Sequence, residues 1–337
     1  MNPIALPRSC SPKILESGYA VLLKQTGLLA LEGDDAVSFI HGQLSNDILY
    51  LDAASARLAA YCTPQGRMLA LFHVWKAEGR IWLMLPRDIL PALQKRLQMY
   101  VLRAKVKLAD ESGKQAILGV GGRRAGAVLS RWFSTLPSEP FGKVENGMGV
   151  LVRVGDAFGA PRYLLTVPLA RLQEVESALS AELAMCDENS WALGDIEAGV
   201  PQITLPVQDR FIPQMVNLEQ TGGLSFKKGC YPGQEVIARS QYRGTVRRRM
   251  FHAYMELPEG KSPAIDLNMA SGADLFDAAG EVCGTLVMAA RRDENRVDCL
   301  AVVRLEARET GTVHATKADG PALSWMPLSG SPVETTS

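Results

Sequence analysis

The alternation of hydrophobic and polar positions predicts a series of hairpins in the first third of the chain. Its β runs are separated by the turn-like segments TPQGR (63–67) and AEGR (77–80), and a helix at 88–100 carries Pro91 in its first turn, where proline is tolerated. Strands joined by tight turns pair antiparallel, whereas parallel strands need a long crossover, usually a helix, between them. The pattern therefore favours an α+β fold over a doubly wound parallel sheet.

A second unit with the same mixture of strands and helices follows. Strands are predicted at 116–120, 149–154 and 163–167, and apolar residues at helical spacing indicate an amphipathic helix at 169–183. The two units share no close sequence repeat. The recurring order nevertheless predicts two α+β subdomains of similar plan.

After Arg249 the β runs become short and closely spaced, and no helix separates them. This pattern predicts a small antiparallel β-barrel or sandwich. The polar end SGSPVETTS is expected to be disordered. The predicted units are two α+β subdomains at 15–114 and 115–249, a C-terminal β-barrel at 250–328 and a tail at 329–337.

Composition adds little to this picture. Lysine plus arginine and aspartate plus glutamate number 36 each among the 337 residues, so net charge gives no global reason to expect a nucleic-acid or membrane partner. The start MNPIALPRSCSPKI lacks the basic start and the long apolar run of a secretory signal. No apolar stretch approaches the roughly 18–20 residues that span a bilayer. These features predict a cytoplasmic protein.

The cysteines are scattered widely and show no shared framework. They are Cys10, Cys62, Cys186, Cys230, Cys283 and Cys299. None forms a C-x-x-C pair or lies at a metal-finger spacing from a histidine, so neither a disulfide framework nor a structural zinc is expected. Reduced thiols are predicted. No permanently bound iron is predicted either, because a stable cluster normally needs about four thiolates.

One cysteine has distinctive neighbours. Cys230 lies in FKKGCYPGQEVIARSQYRG (226–244), after Lys227 and Lys228 and before a Tyr-Pro-Gly turn. The adjacent positive charge, and the amides of a helix that starts after the turn, both favour a thiolate over a thiol. The alternative is a small buried side chain, the commonest fate of a free cysteine. Flanking glycines and charges favour the functional thiol.

The same segment is strongly basic. Between Ser225 and Met250, seven cationic side chains accompany one acidic one, a net charge of +6. The cationic residues are Lys227, Lys228, Arg239, Arg243, Arg247, Arg248 and Arg249. A solvated surface explains part of this charge. A local site for an anion is the sharper interpretation, and the anion could be a phosphate, a nucleic acid or the carboxylates of a polyglutamate tail.

A third candidate is the helix predicted at 191–198. A tryptophan face, here that of Trp191, can stack on a flat heterocycle. A carboxylate such as Glu197 can pair with two N–H donors on the edge of that ring, as in a reduced pterin. The alternative is that Trp191 belongs to the core and that Glu197 is solvated.

These segments together resemble the YgfZ family of folate-binding proteins. The resemblance is carried by DIEAGVPQI (195–203), FIPQMVNLEQTGGLSF (211–226) and KKGCYPGQEVIARSQYRGTVRRR (227–249). The family signature K-G-C-Y-x-G-Q-E is matched at every fixed position. Weaker similarity extends the match from about Leu28 to Ala290.

The resemblance implies a fold and a ligand. The family is related to the aminomethyltransferase (T-protein) of the glycine cleavage system, which implies two folate-binding subdomains around a central cavity and a C-terminal β-barrel. It implies tetrahydrofolate as the ligand, with Trp191 lining the site and Glu197 holding the pterin edge. Its members are linked to iron–sulfur protein maturation and, through it, to tRNA modification. Thr26 stands near the place where the family often has a second aromatic residue.

Two functions are therefore weighed. In the first, the chain is an accessory factor for iron–sulfur proteins that binds folate in the cavity and uses the reactive Cys230 next to it, and direct RNA binding is not expected. In the second, it is a folate-dependent aminomethyltransferase of the T-protein type. The acid of T-proteins lies in a G-G-I-x-D-D run, where this chain has Ala70 and Leu71, which can neither take a proton nor steady a cation. The accessory factor is favoured. The predicted site residues are Cys230 and Lys228 for chemistry, and Trp191, Glu197, Tyr231 and Arg243 for folate.

Overall fold

The computed structural model describes residues 9–242, 244, 246–256 and 271–327. The strands are β1 Tyr19–Leu22, β2 Thr26–Glu32, β3 Ala56–Cys62, β4 Met68–Ala77, β5 Arg80–Pro86, β6 Lys107–Asp110, β7 Gln115–Gly121, β8 Lys143–Asn146, β9 Gly149–Ala157, β10 Ala160–Pro168, β11 Ala184–Cys186, β12 Arg248–Glu256, β13 Asp274–Phe276, β14 Val282–Arg291, β15 Arg296–Arg304, β16 His314–Ala315 and β17 Leu323–Met326. The helices are α1 Pro12–Ser17, α2 Ala36–His41, α3 Leu90–Met99, α4 Ala125–Leu129, α5 Leu172–Ser180, α6 Glu188–Glu197, α7 Gln234–Tyr242 and α8 Leu305–Thr310.

The first sheet has the strand order β3-β4-β5-β2-β6, and all its neighbours are antiparallel. Its β4–β5 hairpin turns at Glu78 and Gly79, whose φ angles are 53° and 70°. Two left-handed residues in a row match the twist of the flanking strands, which is why Gly is favoured at such a turn. The predicted hairpins are confirmed.

Alternation along β4 sets the layers around this sheet. Ala70, Phe72 and Val74 face the core that includes residues of α2 and α3. Leu71 and Trp75 point to the opposite face and join a central core. Because successive side chains of a strand leave opposite faces, both faces of β4 are apolar and the strand is buried on both sides.

The second sheet has the order β11-β1-β7-β10-β9-β8. Its residues Ile117, Val152 and Leu164 enter the same central core as Leu71 and Trp75 of the first sheet. Its other face packs against α4 and α5. The two sheets therefore share one core between them, with helices on their outer faces.

Strand β1 joins the second sheet, although it lies in the range 15–114 predicted for the first subdomain. It pairs antiparallel with β7 and parallel with β11. These partners are far away in sequence, and no local pattern identifies them. The predicted boundaries at 114/115 and 249/250 stay a prediction.

The C-terminal strands form a curled antiparallel sheet with the order β16-β13-β14-β15-β12-β17. A bridge between His314 and Ala322 brings its two edges together. The sequence predicts no helix between the C-terminal strands, but β15 ends at Arg304 because Leu305 begins α8. The predicted tail at 329–337 lies outside the described residues. No helix within the described ranges combines the length and apolar character that crossing a bilayer requires.

Helix α6 lies between the second sheet and the C-terminal sheet, since it contacts β1 and β9 of the former and β14 and β15 of the latter. It begins at Glu188 because Asp187 caps it, accepting a hydrogen bond from Ser190 N at 3.0 Å. The Asn189 side chain donates to Arg291 O at 2.7 Å and accepts from Arg291 N at 2.8 Å. The helix is thus fixed to β14 by a paired side-chain-to-backbone contact.

A disulfide between Cys10 and Cys186 corrects the prediction that the cysteines are all reduced thiols. The two Cα atoms are 5.7 Å apart, although 176 residues separate them in sequence. The bond joins the segment before α1 to the end of β11, one residue before the cap of α6. Such a long-range pair has no C-x-x-C or other local signature.

We expect the C10S/C186S double variant to be less stable than the wild type by about 2–4 kcal/mol in free energy of unfolding, since the cross-link restricts the unfolded chain. Denaturant unfolding with and without a reductant measures this. Reductant should lower the stability of the wild type to that of the variant and leave the variant unchanged. A wild type insensitive to reductant would contradict the prediction.

Candidate functional site

The Cys230 segment is fastened to the turn at 63–67 by two glycines. Gly233 has φ +84°, and a β-carbon there would lie 2.5 Å from Thr63 O and 2.7 Å from Gly66 Cα. Gly66 itself has φ +74°. Only glycine combines this left-handed conformation with so close an approach. Helix α7 starts at the next residue, Gln234, as predicted.

Cys230 and Lys228 differ sharply in exposure. Cys230 is exposed and outside any disulfide, whereas Lys228 is only 7% exposed. The Lys228 ammonium donates hydrogen bonds to Leu44 O, at 2.6 Å, and to His41 O. Burial lowers the pKa of Lys228 to about 8, while Asp47 and Cys230 act in the opposite direction. Lys228 therefore fixes the loop to the end of α2, close enough to Cys230 for a charge interaction.

Tyr231 anchors the Cys230 loop through its buried ring. Its ring is buried in the central core, and Lys228 Nζ lies 4.6 Å from the ring centroid. Burial raises the pKa of Tyr231, and the nearby Cys62 adds to the effect. The structure brings Lys228, Cys230 and Tyr231 together, but none of them lines the cavity between the sheets.

That cavity opens between the first and second sheets and measures about 630 Å³, counting the solvent at its mouth. Its enclosed interior is small, about 50 Å³. Its polar and aromatic lining includes Thr26, His73, Phe141, Arg162, Trp191, Asp195 and Gln202. Leu71 is part of the apolar lining.

Trp191 is held in this wall by close contacts. A β-carbon at Gly119 would lie 2.2 Å from the Trp191 ring, so the indole packs directly against the backbone of β7. The Arg162 Cζ atom lies 4.4 Å from the ring centroid, a cation–π geometry. Trp191 is 5% exposed. It is thus both a core residue and a cavity residue.

A buried ion pair lies beside Trp191. Arg162 Nη2 donates to Asp195 Oδ1 at 2.7 Å, and Gln202 Nε2 donates to Asp195 Oδ2 at 2.9 Å. Burial raises the pKa of Asp195, and Arg162 opposes this effect. A β-carbon at Gly194 would lie 2.1 Å from Arg162 Nη1, so this glycine gives the guanidinium room to reach the carboxylate.

His73 is a third polar group in the cavity wall. Its Nδ1 is shut off from solvent and has no hydrogen-bond partner. Burial lowers the pKa of His73 to about 4, and the positive charge of Arg162 adds to this. The imidazole is therefore neutral at physiological pH, 6.2 Å from the Phe141 ring between centroids.

Glu197 does not line the cavity. Arg292 Nη2 reaches Glu197 Oε2 at 3.1 Å, and its Nε donates to Asp298 at 2.6 Å. Glu197, His252 and Asp298 place possible metal-ligand atoms within 4.8 Å of one another. Arg292 thus pairs with both Glu197 and Asp298, and Arg296 Nε donates to Asp298 at 2.7 Å. Arginines therefore already pair with both carboxylates. The cluster is therefore an ion-pair network between α6 and the C-terminal sheet.

The basic residues of the segment spread over several surfaces. Arg249 pairs with Glu219 and donates to Gln214 O at 2.8 Å. Lys227, Arg239, Arg247 and Arg248 are exposed. Arg243, predicted to contact folate, lies outside the described residues.

Sequence reasoning missed Arg162, Asp195 and His73. A charged residue within the apolar run of β10 was a usable signal for Arg162, because a buried charge requires a partner. Asp195 stands two residues before Glu197, and helix geometry puts the two on nearly opposite faces. Nothing in the sequence shows whether Asp195 or Glu197 points into the cavity.

Comparisons with known proteins agree with this architecture. The chain is 35% identical over 222 residues to the tRNA-modifying protein YgfZ of Edwardsiella ictaluri, an alignment that covers 66% of each protein. It is 28% identical to the YgfZ of Cronobacter sakazakii over 303 residues, 90% of this chain and 89% of the relative. It is 29% identical to the tRNA-modifying protein YgfZ of an Enterobacter species over 310 residues, which cover 91% of this chain and 92% of the relative.

A solved structure shares the fold. The glycine cleavage system aminomethyltransferase T of Bartonella henselae superposes with a TM-score of 0.71 over 94% of this chain and 87% of that protein. At 17% sequence identity, this similarity shows a common mixed α+β fold. No protein-family model matches the chain.

We expect protonation of His73 to destabilise the folded protein at acidic pH. The effect falls between the pKa of His73 in the folded chain, about 4, and its value of 6.5 in the unfolded chain. In this window the unfolded chain binds the proton more strongly, so the free energy of unfolding falls as pH decreases. At pH 4.5 the loss should be about 2 kcal/mol.

Denaturant unfolding at pH 7 and 4.5 measures this loss. The variant His73→Leu has no titrating imidazole there, and its stability should fall less on acidification. Equal losses in variant and wild type would show that His73 is not the group responsible.

Proposed function

This chain belongs to the YgfZ family, and from that premise we propose that it is a tetrahydrofolate-binding accessory protein acting in the cytoplasm. It supports iron–sulfur cluster assembly or repair in client enzymes and, through them, tRNA modification. The observation that carries the proposal is the narrow cavity between the two sheets, with an indole and a fixed carboxylate in its wall.

The lining of the cavity suits a flat heterocycle, because aromatic and apolar side chains from both sheets surround a small interior. Trp191 contributes an aromatic side chain to this lining, with the Arg162 guanidinium over its ring at 4.4 Å. The lining of Phe141, Leu71 and Leu164 supplies the apolar contact typical of small-molecule sites.

Asp195 takes the role that the sequence assigned to Glu197. An ionised carboxylate has about four acceptor positions, and Arg162 and Gln202 use one on each oxygen. The remaining positions can accept two N–H donors from the edge of a pterin. Glu197 instead pairs with Arg292, outside the cavity lining.

The aminomethyltransferase alternative is less well supported. Leu71 lines the cavity and Ala70 is fully buried in the core of the opposite face, so neither supplies a carboxylate. The structural similarity to an aminomethyltransferase concerns the fold, and fold does not determine chemistry.

Cys230 works at the surface in this proposal. It is exposed and does not line the cavity, which favours reaction with a partner protein over direct contact with the bound folate. An accessible thiol can carry a persulfide, form a mixed disulfide, accept a one-carbon unit or hold an iron–sulfur intermediate transiently. Lys228 and Tyr231 then position the loop that presents it.

Titration with tetrahydrofolate tests the ligand. We expect quenching of tryptophan fluorescence and a higher melting temperature in the wild type, with the quenching lost in Trp191→Phe. Asp195→Asn should weaken binding about tenfold or more, because a charge-assisted hydrogen bond is lost.

Glu197→Gln is the matched control and should bind as the wild type does. If this variant loses binding while Asp195→Asn keeps it, the assignment of the carboxylate is wrong. An unchanged melting curve of the wild type at saturating ligand would reject folate as the ligand.

The role of the thiol is tested by Cys230→Ser in cells that lack the protein. Because Cys230 is exposed, we expect the variant to fold and to bind tetrahydrofolate with unchanged affinity, yet to leave iron–sulfur enzyme activity low. Full restoration of that activity by the variant would exclude a thiol function.

A further inference from the structure

A second, wider cleft lies between the turn at 63–67, the segment 209–215 and the C-terminal sheet. Its volume, counting the solvent at its mouth as for the cavity between the two sheets, is about 1070 Å³, and the two share no lining residue. Three arginines from three different elements line it: Arg67, Arg210 and Arg248.

The backbone positions two of these guanidinium groups. Arg67 Nη1 donates to Arg210 O at 2.7 Å. Arg210 donates to Gly272 O and lies 3.2 Å from Asp274. A carbonyl oxygen orients a guanidinium without neutralising its charge, so Arg67 keeps its full charge in a fixed position. These arginines are preorganised, which lowers the entropy lost on binding.

The charge of the cleft is local and positive. The whole chain has a formal net charge of zero, whereas the lining holds three arginines and a single acidic residue, Asp209. Arg248 is exposed on β12 and stands opposite Arg304 in the neighbouring strand. Arg210 pairs with Asp274, whereas Arg67 and Arg248 have no carboxylate partner among the described residues, so the positive charge of the cleft rests mainly on these two.

We propose that this cleft binds phosphate groups, either of a free polyphosphate ligand or of an RNA backbone. Arginine forks match the geometry of phosphate oxygens. Gln65 and Thr285, also in the lining, add neutral hydrogen-bond donors. Together these groups offer more donors than the two oxygens of one carboxylate can use.

The cleft is also connected to the Cys230 loop. Gly66, between the cleft residues Gln65 and Arg67, contacts Gly233 and Val236 at the start of α7. A ligand that orders the turn at 63–67 therefore acts on the base of the segment that presents the thiol.

Titration of the full chain with tripolyphosphate, with a single-stranded RNA oligonucleotide and with hexaglutamate tests the proposal. We expect Arg248→Gln to weaken phosphate binding about tenfold, as the loss of one charge-assisted contact predicts. The R67Q/R248Q double variant should weaken it further and reduce its salt dependence. Arg103→Gln is the control, because it removes the same charge from an exposed position outside the cleft.

Binding of tripolyphosphate that depends on the cleft arginines supports the proposal and identifies a free polyphosphate as sufficient. Cleft-dependent binding of RNA alone supports it and identifies the backbone of a nucleic acid. Binding of hexaglutamate in preference to both phosphate probes overturns it. So does an equal loss in Arg103→Gln and Arg248→Gln, or no binding of either phosphate probe to the wild type.

Discussion

The buried pair of Arg162 and Asp195 is the interaction on which the cavity depends. It joins β10 of the second sheet to α6, and it places a charge next to Trp191 and His73. Removing one partner would leave an uncompensated charge in the core, at a cost of about 3–5 kcal/mol. An apolar pair of similar volume would often be at least as stable, so the pair is compatible with the ligand-binding role proposed above for Asp195.

Much of the fold follows from local patterns. The hairpins around 63–67 and 77–80 and the start of α7 after Gly233 are set by turn residues and periodicity, which act over a few positions. The pairing of β1 with β11 and the disulfide of Cys10 with Cys186 depend on contacts between distant segments. No short window of sequence contains that information.

The roles predicted for the site residues stay predictions, but the structure shows where the side chains lie. Trp191 lines a cavity, and Cys230 is exposed. The two features were expected to meet, yet the loop of Cys230 is fastened outside the cavity lining by Lys228 and Gly233. Tertiary packing decides which side of a helix or loop faces a cavity. Asp195 and Glu197 are only two residues apart, yet only Asp195 lines the cavity.

Two residues of helix α6 make contacts on opposite sides of the helix. Asp195 lines the cavity and pairs with Arg162, and Glu197 pairs with Arg292 of the C-terminal sheet region. A rigid helix of ten residues cannot rotate to adjust one contact without displacing the other. Because Asp195 and Glu197 belong to the same helix, a displacement of that helix as a whole would move the cavity wall and the contact with the C-terminal sheet together.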